Sequence, residues 1–448
     1  MANSLQVGTS YRQVIKIALP ISLALLVPQL NLIINAVFLG HLSEEALATA
    51  SITGVYNLIF AGIGFGLNNG LQAFISRRAG ENKPKEIGVI FQQGIFISLA
   101  IGLFGMLFTW FAAPAIFKAT IHSPKIYSDA VSFMNIRIIG LPFLFIYQMR
   151  NALLVGINQS RLLVIGTAAE AFINVVFDYG LIFGKLGMPQ MGFNGAAVAS
   201  VLAEFTGMAV IFFVVKANGI SRQFSLFAGF AYNKAITITI LKLSGPLIFQ
   251  MAISIVSWFF FYVLVEHHGQ TPLAISNTMR NVFGFFGVFS WAFASTANSM
   301  VSNVIGQEKK DLVVPLLYKI TRLSTSLALV VCLLLNLFPG AYFSAFGQAD
   351  NFGEEGIPTL RIVSVAIVIL SAGTVWLNGV TGTGNSKMTF MIELAAIIVY
   401  CIYVYVVLEV MKLSIAWGWA SELFYWTMMF SISFWYVRSG RWKSRKAI

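Results

Sequence analysis

The sequence predicts an all-α polytopic membrane protein, with twelve transmembrane helices arranged as two parallel six-helix repeats. Three observations carry that expectation: an apolar composition, apolar runs of spanning length, and a single offset that aligns the two halves. Of 448 residues, 58% are hydrophobic and 10% are charged, and the mean hydropathy is +0.80. A soluble domain carries roughly 25% charged residues, so hydrocarbon is the main solvent expected around this chain. Apolar runs recur along its whole length, each near the ~20 residues that cross a ~30 Å hydrocarbon core.

The spans are placed at 14–38, 50–76, 87–117, 130–156, 161–184, 193–217, 240–265, 273–302, 312–345, 357–382, 387–410 and 415–437. The first thirteen residues lack the apolar core and cleavage site of a signal peptide, so no processing is expected. Pro20 and Pro28 interrupt span 1, Gly62, Gly64, Gly66 and Gly70 thin one face of span 2, and Pro142 interrupts span 4. Span 7 carries Pro246. Glycine and proline are common in membrane helices and permit close packing, but the repeated Pro20/Pro246 pair points to a bend at Pro20.

With both termini on the cytoplasmic side, 22 of the 29 lysines and arginines fall at inner ends or loops, among them Arg77, Arg78, Lys83, Lys85, Lys309 and Lys310. The opposite loops carry Glu44, Glu45, Glu266, Asp350, Glu354 and Glu355. This is the positive-inside bias that sets orientation. The net charge of +12 is therefore a topology signal, and no nucleic-acid partner is expected. Cys332 and Cys401 lie inside apolar runs, and His41, His122, His267 and His268 show no metal-ligand spacing, so neither a disulfide framework nor a cofactor is expected.

The repeat has an offset of 226 residues: KIALP ending at Pro20 aligns with KLSGP ending at Pro246, and Leu47-Ala48 with Leu273-Ala274. Gly80 aligns with Gly306, and GINQSR from Gly156 with GTGNSK from Gly382. Near the end the offset falls to 221, aligning Ala199-Ser200 with Ala420-Ser421. Each half holds an even number of spans, so both enter the membrane from the same side, as in transporters built from parallel repeats. The boundary lies within 217–234, giving an amino-terminal lobe of 1–226 and a carboxy-terminal lobe of 227–448.

Ionisable groups inside spans are costly and are functional candidates by default. Glu170, Asn174 and Asp178 stand four residues apart and share one face of span 5, as Asn31 and Asn35 do on span 1. Asn35, Asp178 and Ser200 lie at similar depth in the outer part of the first lobe. Carboxylate, amide and hydroxyl oxygens suit a hard cation, so Na+ at Asn174, Asp178 and Ser200 is one expectation. A proton on a desolvated Asp178 is the other, and interhelical hydrogen bonding alone is the bland alternative for the neutral members. Glu204, one turn from Ser200, belongs either to this site or to a cleft lining, and Asn31 and Glu170 are further candidates for a substrate cleft. In the second lobe Arg280 is the cation clearly placed inside a span; an ion pair with Glu422 is its leading expectation, and a substrate or cleft role the minority one. The role of Glu393 stays open. The stretch Trp258–Tyr262 with Phe283, Phe285, Phe286, Phe289, Trp291 and Phe293 lines a cavity or faces lipid.

Over essentially its whole length the chain resembles the multidrug and toxic compound extrusion (MATE) family. The carriers are Pro20 through Asn35-Ala-Val-Phe-Leu-Gly40-His-Leu, the basic loop after span 2, Gly156–Arg161, Asn174-Val-Val-Phe-Asp178 with Ile-Phe-Gly184, and Gly195-Ala-Ala-Val-Ala-Ser200. The resemblance implies two six-helix lobes in a V, and alternating-access antiport that exports amphipathic cationic or aromatic small molecules against H+ or Na+. It implies an inner (plasma) membrane location, lipid and the small-molecule substrate as partners, and a monomer. The Asn174/Asp178 pair looks like the DinF-like branch, whose cation site lies in the amino-terminal lobe. Two residues depart from the family pattern: Asn35 stands where span 1 usually has aspartate, and Ser254 where other branches carry a span 7 glutamate. The first shifts coupling toward Asp178, and the second argues against a carboxylate site in the second lobe. A lipid-linked oligosaccharide flippase of the same superfamily and a membrane-embedded enzyme are the alternatives. The first needs several buried arginines, the second a nucleophile–base pair or metal ligands at membrane depth.

Overall fold

A computed structural model describes residues 5–227, 229, 231–345 and 353–444. Asp350 lies outside the described residues, as do the side chains of Glu44, Glu354 and Glu355. Among the described residues all regular structure is helical. The first half forms α1 (Tyr11–Leu42), α2 (Glu44–Gly80), α3 (Pro84–Thr120), α4 (Pro124–Gly156), α5 (Arg161–Phe183) and α6 (Phe193–Ala217). The second forms α7 (Lys234–Glu266), α8 (Gln270–Gly306), α9 (Val313–Leu337), α10 (Gly353–Gly382), α11 (Ser386–Val404) and α12 (Ser421–Arg438).

Ten of these helices are long and apolar enough to cross a membrane; α8 and α12 are the other two. Large apolar side chains point outward along them, Phe111 at 82% exposure and Phe104, Phe172 and Phe259 close behind. Such exposure would be unfavourable in water and is what a lipid-facing surface requires. The inner half of α8 shows the reverse pattern, with Asn298, Ser299, Ser302 and Asn303 fully buried. Helix association in lipid draws on small residues and hydrogen bonds because apolar burial offers little there. In keeping with that, a Cβ at Gly382 of α10 would come within 2.7 Å of the Asn298 carbonyl oxygen of α8.

The 226-residue repeat is visible in the backbone. Asn82 and Glu308, equivalent positions in the loops after α2 and α8, have φ of 57° and 64°. Asn158 and Gly384, equivalent positions after α4 and α10, have φ of 62° and 89°. A left-handed conformation at a non-glycine residue is uncommon, so its recurrence at one offset is a structural signature of the duplication.

Two compact units result, one of Leu23–Lys242 and the other of Met1–Ser22 with Leu243–Ile448. Each unit thus contains the leading turns of the other half's first helix. Side-chain amides hold those segments. In the second unit the Val7 amide donates to Asn303 Oδ1 (3.1 Å), Asn303 Nδ2 donates to the Leu5 carbonyl (2.9 Å) and Gln307 Nε2 to the Val7 carbonyl (2.9 Å). In the first unit Gln93 Nε2 donates to the Ala231 carbonyl (2.9 Å) and accepts from the Asn233 amide (3.0 Å).

Two sequence expectations need correction. The span placed at 312–345 is broken: α9 ends at Leu337, and Pro339 opens a separate short helix, Pro339–Ala345. Proline disfavours helical geometry in the residue before it, and Phe338 accordingly has φ −128° and ψ 50°. α4 begins at Pro124, earlier than expected, and is divided by a 3-10 turn at Ile138–Gly140 immediately before Pro142.

Candidate ion-coupling site

In the first unit α5 places Asn174 and Asp178 one turn apart and facing inward; Asp178 is fully buried at 0% exposure. From α1, Asn35 Nδ2 is placed to donate to Asn174 Oδ1 at 3.3 Å. The other end of the same amide lies 2.5 Å from Asp178 Oδ2 and 3.3 Å from the Asn31 carbonyl. Two acceptors cannot bond to each other, so the amide is better turned, its NH2 donating to the Asp178 carboxylate and to Asn31. Asn174 Nδ2 has no partner in its present orientation, and turning it too lets it donate to the Asn35 oxygen. Asp178 Oδ1 remains without any hydrogen-bond donor. A buried oxygen left unpaired carries a desolvation cost unless something binds it.

Of the four residues expected together, the structure gathers Asn35, Asn174 and Asp178 in one cluster, joined by the backbone of Asn31. Ser200 is half-buried on α6 and has no hydrogen bond to the cluster. α6 nonetheless packs closely on α5, where a Cβ at Gly195 would lie 2.7 Å from the Leu181 carbonyl carbon. α1 runs as a helix through Pro20, which lies among the turns assigned to the second unit.

Deeper along the same helices is a charge cluster that the sequence reading only half saw. Arg137 of α4 donates from both terminal nitrogens to Glu204 of α6, Nη1 to Oε2 at 2.9 Å and Nη2 to Oε1 at 2.5 Å. A paired, bidentate geometry is what makes a buried charge tolerable. A Cβ at Gly140 would collide with Glu204 Oε2, and one at Gly207 would lie 3.2 Å from Glu170 Oε2. Glycine at both positions therefore leaves room for the carboxylates. Glu204 is an ion-pair partner and not a fourth member of the Asp178 cluster, and Arg280 is not alone as an intramembrane arginine. The overlooked signal was plain: Arg137 lies inside the span expected at 130–156.

The second unit corrects two further expectations. Ser254 does not mark the absence of a carboxylate. Its hydroxyl donates to Glu393 of α11, which also accepts from Gln250 Nε2 and from the Tyr425 hydroxyl at 2.9 Å. Arg280 and Glu422 form no ion pair: Arg280 is exposed, its guanidinium 5.6 Å above the Tyr262 ring, while buried Glu422 accepts from Trp426 Nε1 at 2.9 Å. Both lie near Tyr262, but the guanidinium stays on the exposed side of the ring and the carboxylate on the buried side. The aromatic stretch divides: Phe261 and Phe283 pack on Trp419 in the core, at ring separations of 5.2 and 5.8 Å, whereas Phe259 and Trp291 are exposed.

Comparison with known proteins agrees with this architecture. The MatE family profile matches residues 20–180 and again 246–406, the same 226-residue spacing as the repeat. A probable multidrug resistance protein NorM of Thermotoga maritima is 21% identical over 439 residues, covering 98% of this chain and 94% of that protein. A probable multidrug resistance protein NorM of a Synechocystis strain is 26% identical, covering 53% of this chain and 51% of that protein. A MOP superfamily transporter from Pyrococcus furiosus, described as having a binding pocket of reversed polarity, superposes with a TM-score of 0.90 at 15% identity over 98% of both chains. An outward-facing multidrug resistance MATE family transporter of the MOP superfamily also gives 0.90, at 16% identity, over 99% of this chain and 98% of that one. Two profile matches covering most of the chain and a shared fold lead to one assignment: the chain belongs to the MatE family of membrane transporters.

Proposed function

We propose that this protein is a cation-coupled exporter of amphipathic organic compounds, cationic or aromatic in character, with Asp178 as the group that binds the coupling ion. The observation that carries this reading is a buried carboxylate with one oxygen left without a donor, flanked by the amides of Asn35 and Asn174. Asn35 takes up no proton near neutral pH, so within this cluster the ionisable group is Asp178. The Asn174/Asp178 pair supports placement in the DinF-like branch. The related NorM proteins, named for multidrug resistance, support organic compounds as cargo. Inward-lying basic loops support cytoplasmic termini and insertion in the cell's inner membrane.

The exchange runs in two half-cycles. Ionised Asp178 either takes up H+ and becomes neutral or holds Na+ as a carboxylate, and release of that ion on the inner side is tied to substrate loading. The flippase reading is weaker, because the intramembrane Arg137 already spends both terminal nitrogens on Glu204. Export of a fluorescent organic cation from vesicles tests the proposal under an imposed sodium or pH gradient. Asp178→Asn should reduce gradient-driven export to the level of empty vesicles. Undiminished export by that variant would overturn the assignment, and the gradient that drives the unaltered protein identifies the ion.

A further inference from the structure

Glu393 is not used by the reading above, and its surroundings differ in kind from those of Asp178. It lies on α11, buried, and accepts hydrogen bonds from three side chains on two other helices: Gln250 and Ser254 of α7 and Tyr425 of α12. Among the described residues no lysine, arginine or histidine lies within ion-pair distance of it. Its titratable neighbour is Tyr425 of α12, which in turn lies near Glu422 of α12 and Tyr400 of α11; α7 presents only the neutral Gln250 and Ser254. Arg361, on neighbouring α10, is exposed.

Hydrogen counting shows what this arrangement can do. The Ser254 hydroxyl has one proton but two acceptors in reach, the Gln250 carbonyl at 2.9 Å and Glu393 Oε1. When Glu393 is ionised, the Ser254 proton turns toward the carboxylate. When Glu393 is protonated, its own O–H donates to Ser254 Oγ, and the Ser254 proton turns to the Gln250 carbonyl. Both states keep every group bonded, and the change needs only a hydroxyl rotation. A metal cation is poorly matched to the same place. Gln250 presents an NH2 and Tyr425 a hydroxyl proton toward the carboxylate, where a cation needs lone pairs.

We propose that Glu393 is a proton-binding site of the second unit, with Ser254 as the rotor that accommodates both of its protonation states. This site stands independently of the role given to Asp178, and it takes a proton where the first unit's site can also take Na+.

Difference infrared spectroscopy during a pH titration of the purified protein tests this in an Asp178→Asn background, which removes the carboxyl proposed to bind the coupling ion. Bands of Glu170, Glu204 and Glu422 are common to the variants compared. The expected result is a carboxylic-acid carbonyl band that appears on acidification and is lost in Asp178→Asn/Glu393→Gln. An identical set of bands in both proteins would overturn the proposal. If the double variant does not fold, Asp178→Asn/Ser254→Ala keeps the carboxyl and removes the rotor. It should move the midpoint of that band by about one pH unit or more, the equivalent of about 1.4 kcal/mol. An unmoved midpoint would equally overturn it.

Discussion

The repeat allows the two halves to be compared position by position, and the comparison is sharpest at the coupling site. Asn35, Asn174 and Asp178 correspond, 226 residues on, to Phe261, Tyr400 and Val404. Phe261 and Tyr400 stand 6.4 Å apart between ring centres, and all three residues are buried in an apolar core. The same scaffold position is therefore a polar cluster in one half and aromatic packing in the other. Glu393 inverts the relation, because its counterpart is Thr167, whose hydroxyl pairs with that of Tyr147 at 2.8 Å. Duplication conserved the helices and loops, while the intramembrane charge moved to different positions in each copy. A desolvated carboxylate is tolerated only where neighbours compensate it, and each half has assembled its own set of neighbours.

Four substitutions or conditions probe that comparison, from the largest expected effect to the smallest. Arg137→Met leaves Glu204 buried without its partner and should cost about 3–5 kcal/mol, read as a loss of thermal stability in detergent. Arg137→Met/Glu204→Leu should recover most of the loss; failure to recover would show that the pair does more than neutralise itself. The second half has no equivalent pair, so no substitution of Arg280 should approach that cost.

Gly382→Ala and Gly156→Ala, at equivalent positions, separate backbone from side-chain contact. A Cβ at Gly382 meets the Asn298 backbone carbonyl at 2.7 Å, whereas one at Gly156 meets the Ile75 side chain at 2.6 Å. The first should cost about 1–3 kcal/mol by overpacking, and the second less, because the nearest main-chain atom to Gly156, the Gln72 carbonyl oxygen, lies at an ordinary 3.5 Å. Equal losses in thermal unfolding would contradict the distinction.

Tyr425→Phe removes one of three donors from Glu393 and should destabilise the ionised form by about 1 kcal/mol. Its effect on unfolding should therefore fade as the pH is lowered and Glu393 becomes protonated. A loss independent of pH would mean that the hydroxyl matters only for packing.

The smallest effect concerns the loops after α2 and α8. Burial pushes the Glu81 carboxyl up, but its bonds to Lys83 and Arg78 outweigh this and hold it below the ordinary carboxylate range. A carboxylate with a depressed folded value stabilises above its unfolded value, and that contribution is lost as pH falls through the folded one. At a loop so close to water the loss is under about 1 kcal/mol. Its counterpart, Gln307, binds the Val7 carbonyl through an amide that does not titrate. Acid should therefore lower the hydrogen-exchange protection factors around Lys83–Glu86, relative to intrinsic rates at the same pH, and leave that of the Val7 amide unchanged.

Much of the fold was legible in the sequence because lipid imposes long apolar runs and the repeat aligns them. Helix ends were less so: Pro339 lies in a run apolar enough to read as continuous, and the break comes from the helical geometry its ring disfavours at Phe338. That Asn174 and Asp178 share a face could be read from helical spacing, since residues four apart do, and Asn35 was matched to them by depth alone. Partnerships between helices could not. Nothing in spacing pairs Arg137 with Glu204, or brings Gln250, Ser254 and Tyr425 to Glu393, because those contacts depend on rotation of one helix against another. Arg280 and Glu422 illustrate the converse, since matched depth along two helices did not make a pair.

The most direct test of the asymmetry is gradient-driven export in vesicles carrying either Asp178→Asn or Asp178→Val, the latter installing the residue found at the equivalent position in the second half. The expected result is export at the level of empty vesicles in both variants, under sodium and pH gradients alike, with the protein folded and inserted. Retained gradient-driven export in either variant would contradict it, and would place the coupling ion outside the Asp178 cluster.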